Sequence, residues 1–298
     1  MYALQFHEYG GPEVISLGDA PEPHPGTGQV RIKVRAASLN GIDWKTRAGY
    51  LSGGKPMDGV GYLGWDAAGV VDEVGESVTG VSVGDDVFGI GKATQAEFAL
   101  LNHWTAKPSS VDWSAAAGVS VETAERSLRL LGVHAGSTVF IDGGAGGVGA
   151  VASQMAIAAG ATVIASASQD NHDYLREIGA TPVLYGEGLV NRVRAVPGAQ
   201  IDAVLDVVGK TPIEDLIALA PEPSQVVTIA NYGAGKTGAR VSTGGAEAHH
   251  EGALALGAQL LADSRLVIKV QTFPFDRFDE AYRIIESGHV RGKVVLVP

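Results

Sequence analysis

The stretch FIDGGAGGVGAVASQ, residues 140–154, limits the available folds more than any other. It opens on an apolar run that reads as a short buried strand. Five glycines follow within residues 143–149, and a helix-length apolar segment comes next. Gly144, Gly146 and Gly149 fit the spacing G-x-G-x-x-G, which is weak alone in a chain with 41 glycines, where a chance turn competes with it. Between a strand and a helix the same pattern gains a physical task. Glycines let the backbone approach a pyrophosphate, and the helix N-terminus offers unpaired N–H groups and the positive end of its dipole. The sequence therefore predicts a strand–loop–helix unit that binds a dinucleotide.

The residues after the next strand bear on which dinucleotide. An acid about twenty residues beyond the loop would bond a ribose 2′-hydroxyl and repel a 2′-phosphate. Here the text is ASASQDNHDY, with Ser166 and Ser168 as small neutral donors suited to phosphate and Asp170 arguing for the hydroxyl. NADPH is the expected cofactor, with NADH the alternative that Asp170 keeps open.

Two styles of sequence divide the chain. Up to about Lys107 short strand patterns alternate with turn residues; in QVRIKVRA, Val30, Ile32 and Val34 share one face and Arg31, Lys33 and Arg35 the other. From Ser114 onward the strands STVFID, ATVIASAS, IDAVLDVVG, QVVTIAN and RLVIKV alternate with helix-length segments. That alternation predicts an α/β fold with a parallel sheet, doubly wound by helices on both faces. The tail adds a helix, with Phe278, Ala281, Tyr282 and Ile285 on one face, and a closing strand. We expect a β-rich domain over residues 1–113, completed by 272–298, and a dinucleotide-binding domain over 114–271.

Composition removes several classes of function. The chain has no cysteine, which excludes disulfides, thiolate metal sites and cysteine nucleophiles. Its net charge of −11, with thinly spread Lys and Arg, predicts no nucleic-acid partner. No apolar run reaches the roughly eighteen residues of a membrane span, and the start lacks a signal-peptide layout. A soluble cytoplasmic protein is expected. GVSVG, residues 80–84, fits the serine-hydrolase elbow but precedes a strand pattern where a helix is required, so Ser82 reads as a turn serine. His249, His250 and Glu251 are adjacent in sequence and poorly arranged to share one metal ion.

GWDAAGVVDEVGESVTGVSVGDDVFG, GGAGGVG and ESGHVRGKVVLVP, in this order, resemble the medium-chain dehydrogenase/reductase superfamily over nearly the whole chain. The resemblance implies a Rossmann-type sheet with a GroES-like N-terminal domain. Zinc-dependent members carry a Cys after the VRIKVRA strand and a His-Glu pair before AGVV. This chain has AASLNGIDWK and Trp65-Asp66 at those places. It therefore resembles the zinc-free quinone oxidoreductase branch. That implies no zinc and direct hydride transfer from NADPH to a quinone or a small α,β-unsaturated carbonyl, where charge spreads over a conjugated enolate. A dedicated enoyl or enone reductase, or a cofactor-binding protein with little turnover, are the alternatives.

Matching positions assign roles. Asn40 corresponds to the asparagine near nicotinamide and substrate, with turn capping as its plainer role. Tyr50, within a register of about one residue, corresponds to a tyrosine that binds substrate oxygen or donates a proton; packing on its loop is the other reading. Asp43 and Lys45 flank the same pocket or form a surface ion pair. Thr123, Gly144, Gly146, Gly147, Val148, Ser166, Ser168, Asn171, Tyr185 and Asn231 are the implied cofactor contacts. Relatives commonly place a cation after Ser168, where this chain has Gln169-Asp170; His172 or Arg176 could compensate. A homodimer joined through RLVIKV is the implied assembly.

Overall fold

The alternation in QVRIKVRA is realised in the computed structural model, which describes residues 1–244, 252–288 and 290–298. Strand β3 (Val30–Leu39) buries Val30, Ile32 and Val34, exposes Lys33 and Arg35, and then runs wholly buried from Ala36 to Leu39. Before it come β1 (Tyr2–Phe6) and β2 (Ser16–Asp19). After it follow α1 (Gly41–Arg47), β4 (Gly61–Tyr62), β5 (Asp66–Val74), β6 (Asp86–Lys92), β7 (Phe98–Ala106) and α2 (Trp113–Gly118). Strand β3 pairs antiparallel with both β5 and β7, and β5–β6–β7 closes the ring. Val30, Ile32, Val34, Ala67, Val71, Val87, Ala99 and Leu101 fill it.

Beyond Ser120 the chain alternates. Helix α3 (Val121–Leu130) leads into β8 (Thr138–Asp142), α4 (Gly147–Ala158), β9 (Thr162–Ala167), α5 (His172–Glu177) and β10 (Thr181–Leu184). Next come α6 (Leu189–Arg194), β11 (Ala203–Asp206), α7 (Ile213–Ile217), β12 (Val226–Thr228) and β13 (Arg240–Val241). All six strands are parallel, in the order β10-β9-β8-β11-β12-β13. This is the doubly wound Rossmann order, whose direction reverses between β8 and β11.

The tail comprises α8 (Ala253–Ala262), β14 (Val270–Pro274), α9 (Phe278–Ser287) and β15 (Lys293–Val297). Strand β15 pairs antiparallel with β3, and β14 lies parallel to β15 at the sheet edge. Ala281 and Tyr282 of α9 are buried with Phe278 and Ile285 packed beside them, the stripe the sequence predicts. The described chain falls into two compact units: residues 1–119, 254–262 and 268–298, and residues 120–253 and 263–267.

RLVIKV differs from expectation. Only Val270 of this run begins a strand, and that strand extends the β3 sheet rather than the parallel one. Local bonds explain it. The Gln154 carboxamide accepts from Val267 N–H at 2.8 Å and donates to its carbonyl at 3.0 Å, while Arg265 caps the carbonyl of Ala158 at 3.0 Å. The GVSVG stretch lies in a turn between β5 and β6, where Ser82 N–H donates to Asp85 at 2.8 Å. His249, His250 and Glu251 lie outside the described residues. No described helix is long and apolar enough to cross a membrane.

Candidate functional site

The glycine loop leaves the C-terminal end of β8 at the point where strand order reverses. Its glycines do three different jobs. A Cβ on Gly149 would lie 2.2 Å from the Gly143 carbonyl oxygen, and one on Gly144 would lie 2.5 Å from Ala165 Cβ. Those two let helix α4 and strand β9 pack closely. A Cβ on Gly146 would meet only the Gly143 oxygen, at 3.5 Å, so this glycine keeps open space in front of the helix start rather than relieving a clash. Gly147 and Val148 form the first turn of the twelve-residue α4, where N–H groups have no partner within the helix. The cradle fits a pyrophosphate.

Asp142 and Asp206, which end β8 and β11, are register partners in the sheet, and both are buried. Asp206 accepts from Val208 and Gly209 N–H at 2.9 and 2.8 Å and from the Thr228 hydroxyl at 2.7 Å. Burial pushes the Asp142 carboxyl above its ordinary pKa, hydrogen bonds from Ser166 and Thr211 oppose this, and Asp206 adds to it. Ser166 is itself buried; its hydroxyl donates to Asp142 and accepts from Gly143 N–H at 2.9 Å, so it braces the loop from beneath. Ser168 Oγ accepts from Asn171 Nδ2 at 3.0 Å, which leaves the serine hydroxyl proton available to donate. Asp170 stands in the exposed turn between them. His172 is buried at the start of α5, and Arg176 pairs with Asp173 at 2.6 Å.

The remaining assigned cofactor contacts are dispersed over the same unit. Tyr185 is 54% exposed after β10, and its carbonyl accepts from Arg192, as do those of Leu184, Gly186 and Glu187. Asn231 follows β12; its N–H donates to Thr228 Oγ1 at 3.0 Å and its side chain accepts from Gly233 N–H at 3.1 Å. The Thr123 hydroxyl lies 3.3 Å from Glu122, whose carboxylate holds Arg126 at 2.7 Å.

In the other unit Asn40 joins a buried polar cluster. It ends β3 and caps α1, with its N–H donating to Asp43 at 2.7 Å. Its side-chain nitrogen donates to Asp66 at the start of β5, and its side-chain oxygen accepts from Lys293 at the start of β15. Asp43 is buried here rather than in a surface pair. It also accepts from Gly64 N–H at 3.1 Å and from Gln95, which accepts the Tyr282 hydroxyl at 2.7 Å. Lys45 instead lies over the Trp44 ring, 5.9 Å from its centroid. Tyr50 stands apart, 71% exposed, its ring edge-on to Trp44 at 5.6 Å. The cluster offers two carboxylates, Asp43 and Asp66, no thiolate and an ammonium lodged on the Asn40 amide oxygen, a donor set that does not fit the usual zinc ligands, and no group of three or more potential metal ligands occurs among the described residues.

The sequence reading missed Lys293, Asp142, Gln95 and Tyr282 as site residues. Lys293 had one signal: it opens KVVLV, a lone cation ahead of a continuous apolar run.

Residues 26–123 match the alcohol dehydrogenase GroES-like domain, and residues 178–296 match the zinc-binding dehydrogenase domain. The whole chain is 30% identical to 80% of the NADPH-dependent alkenal/one oxidoreductase, chloroplastic, of Arabidopsis thaliana. The chain belongs to the quinone oxidoreductases of the medium-chain dehydrogenase/reductase superfamily. Among solved members of this superfamily, the quinone oxidoreductase from Coxiella burnetii superposes with a TM-score of 0.85 at 30% identity, covering 100% of this chain and 99% of that one. A mycobacterial protein complexed with NADPH superposes with a TM-score of 0.86 at 25% identity, covering 100% of both.

Proposed function

We propose that this chain is a zinc-independent, NADPH-preferring oxidoreductase that reduces quinones or small α,β-unsaturated carbonyls by direct hydride transfer. The observation that carries it is Asn40, held between Lys293 and Asp66 at the places where zinc-dependent relatives keep a cysteine and a His-Glu pair. Without a Lewis acid, an alkoxide product is poorly stabilised, whereas an enolate or hydroquinone anion spreads its charge and needs only positioned donors. The nicotinamide, when bound, supplies the hydride. Gly146, Gly147 and Val148 bind the pyrophosphate through backbone N–H groups, Ser168 and Asn171 favour the 2′-phosphate, and the Asn40 amide donates to the developing oxyanion.

Support for NADPH comes from the Arabidopsis relative's stated dependence and the mycobacterial complex. A second reading, a dedicated enone double-bond reductase, is favoured by the alkenal/one specificity of that relative and by Tyr50, exposed enough to give a proton to the product carbon. Homodimerisation through residues 265–270 belongs to the proposal. Val267 is 55% exposed, and because Gln154 already holds both of its backbone polar groups the contact would be made through side chains rather than by strand pairing at this residue. A monomer in light scattering at micromolar concentration would remove that part. The cytoplasm is the proposed location.

The deciding test is initial rates of NADPH and NADH oxidation with an ortho-quinone and a simple enone. Acceptor-dependent oxidation favouring NADPH is expected. Preference for NADH would assign Asp170 to the ribose hydroxyl, and binding without turnover would replace the enzyme by a cofactor-binding protein. Unchanged enone turnover by Tyr50→Phe would end the proton-donor role.

A further inference from the structure

We infer that Lys293 is a positioning residue that locks the Asn40 carboxamide in a single orientation. Lys293 is 5% exposed and is followed in β15 by Val294, Val295 and Leu296, all buried. Burying an ammonium is costly in lost hydration unless its surroundings compensate. The strand makes no demand for it: the backbone N–H of residue 293 donates to the Lys269 carbonyl at 2.9 Å, a bond that any residue except proline would make. What distinguishes lysine here is its charged end, which lies in the field of Asp66 and Asp43 and donates to Asn40 Oδ1.

The chemistry of the three partners leaves one arrangement. An ammonium can only donate, and an ionised carboxylate can only accept. With Lys293 on one side of the Asn40 amide and Asp66 on the other, the oxygen must face Lys293 and the nitrogen Asp66. Turning the amide over would set NH₂ against NH₃⁺ and C=O against COO⁻. The backbone end is fixed as well, because Asn40 N–H donates to Asp43 at 2.7 Å. One amide hydrogen is committed to Asp66, and the direction of the second is thereby set. Lys293 also withdraws electron density through the carbonyl, which strengthens that remaining donor. Its value for turnover rests on the role proposed above for Asn40.

The chain contains five asparagines, so selective ¹⁵N-asparagine labelling gives a readable spectrum of the cofactor-free protein, with the Asn40 pair identified by its loss in Asn40→Ala. Lys293→Met is expected to raise exchange of the Asn40 side-chain protons about tenfold, the equivalent of one lost hydrogen bond, while Lys293→Arg keeps them protected. Unchanged exchange in a folded Lys293→Met protein would overturn the inference. If that variant does not fold, Asp66→Ala removes the acceptor at the opposite end of the amide and must raise exchange in the same way, and failure to do so also overturns it. In the rate assay Lys293→Met should lower kcat about tenfold with the NADPH KM within about twofold. Introduced into Asn40→Ala, it should cost less than about twofold more, since the group it positions has gone. Full additivity of the two losses counts against positioning. A wild-type protein without acceptor-dependent turnover would sink the proposed reaction, and the exchange measurement would still decide whether Lys293 holds Asn40.

Discussion

Asp43 shows how far burial alone changes the chemistry of a residue. Desolvation pushes its carboxyl up to about 7; bonds from Asn40 and Gly64 N–H pull the other way, Asp66 raises it further and Lys293 lowers it. A carboxyl whose pKa is higher folded than unfolded binds more protons in the native state. Its contribution to stability is therefore complete below pH ~4, declines as pH rises toward about 7, and changes no further above that. At about 1.4 kcal/mol per pKa unit the decline amounts to a few kcal/mol. Asp43→Asn removes this titration, so the stability difference between wild type and Asp43→Asn, measured by urea unfolding across pH 4–8, should move in favour of the variant up to neutrality and then level off. A difference independent of pH would show that Asp43 is ionised throughout. Asn40, Asp43 and Asp66 were legible in the sequence by residue type and position, because they sit at the places the family motif marks. Lys293 and Asp43 as buried charges were not. Lysine and aspartate are by default surface residues, and only the three-dimensional convergence of β3, α1, β5 and β15 encloses them.

The strand–loop–helix unit separates two glycine requirements that the sequence pattern merges. At Gly149 an added methyl group meets the Gly143 backbone at 2.2 Å, and backbone cannot step aside as a side chain can. Gly149→Ala should lower stability by about 1–3 kcal/mol and weaken NADPH binding as well, since α4 must move away from β8. At Gly146 the nearest atom is 3.5 Å away, and the backbone φ of −81° suits any residue. Gly146→Ala should unfold within about 0.5 kcal/mol of wild type yet, if the proposed pyrophosphate cradle is right, bind NADPH at least about tenfold more weakly, because its methyl group would fill the space left for the phosphates. Fluorescence titration and thermal melts on the two variants measure both quantities. Equal affinity in Gly146→Ala and wild type would displace the phosphate from this loop. Strands β8, β9, β11 and β12 were legible as short apolar runs alternating with helix-length segments, the glycine loop by its place between a strand and a helix, and α9 by its i, i+3, i+4, i+7 stripe. RLVIKV was misread for a reason the period cannot convey: Gln154, more than a hundred residues earlier, satisfies the backbone that a sheet partner would otherwise take.

The whole molecule carries a formal charge of −11, and the cofactor proposed for it is a polyanion. These facts conflict at long range. The field that would pull phosphates in comes from the first turn of α4 and fades within a few ångströms, whereas the net charge acts out to the Debye length, about 30 Å at 0.01 M salt and 8 Å at 0.15 M. Encounter is therefore slowed by repulsion and docking is favoured by local N–H groups. Added salt screens the first much more than the second. The association rate of NADPH should rise a few-fold between roughly 10 and 150 mM salt, and that of NADH should rise less, because it lacks the 2′-phosphate charge. This is the reverse of the salt dependence of a basic anion site, in which added salt weakens capture. Stopped-flow measurement of nicotinamide fluorescence with both cofactors reads the two slopes directly. Rates that fall with salt for both would mean that a positive local field reaches into solution and outweighs the net charge. Equal slopes would mean that the 2′-phosphate does not meet the field of the protein before docking, and Ser168 and Asn171 would then select NADPH only after contact.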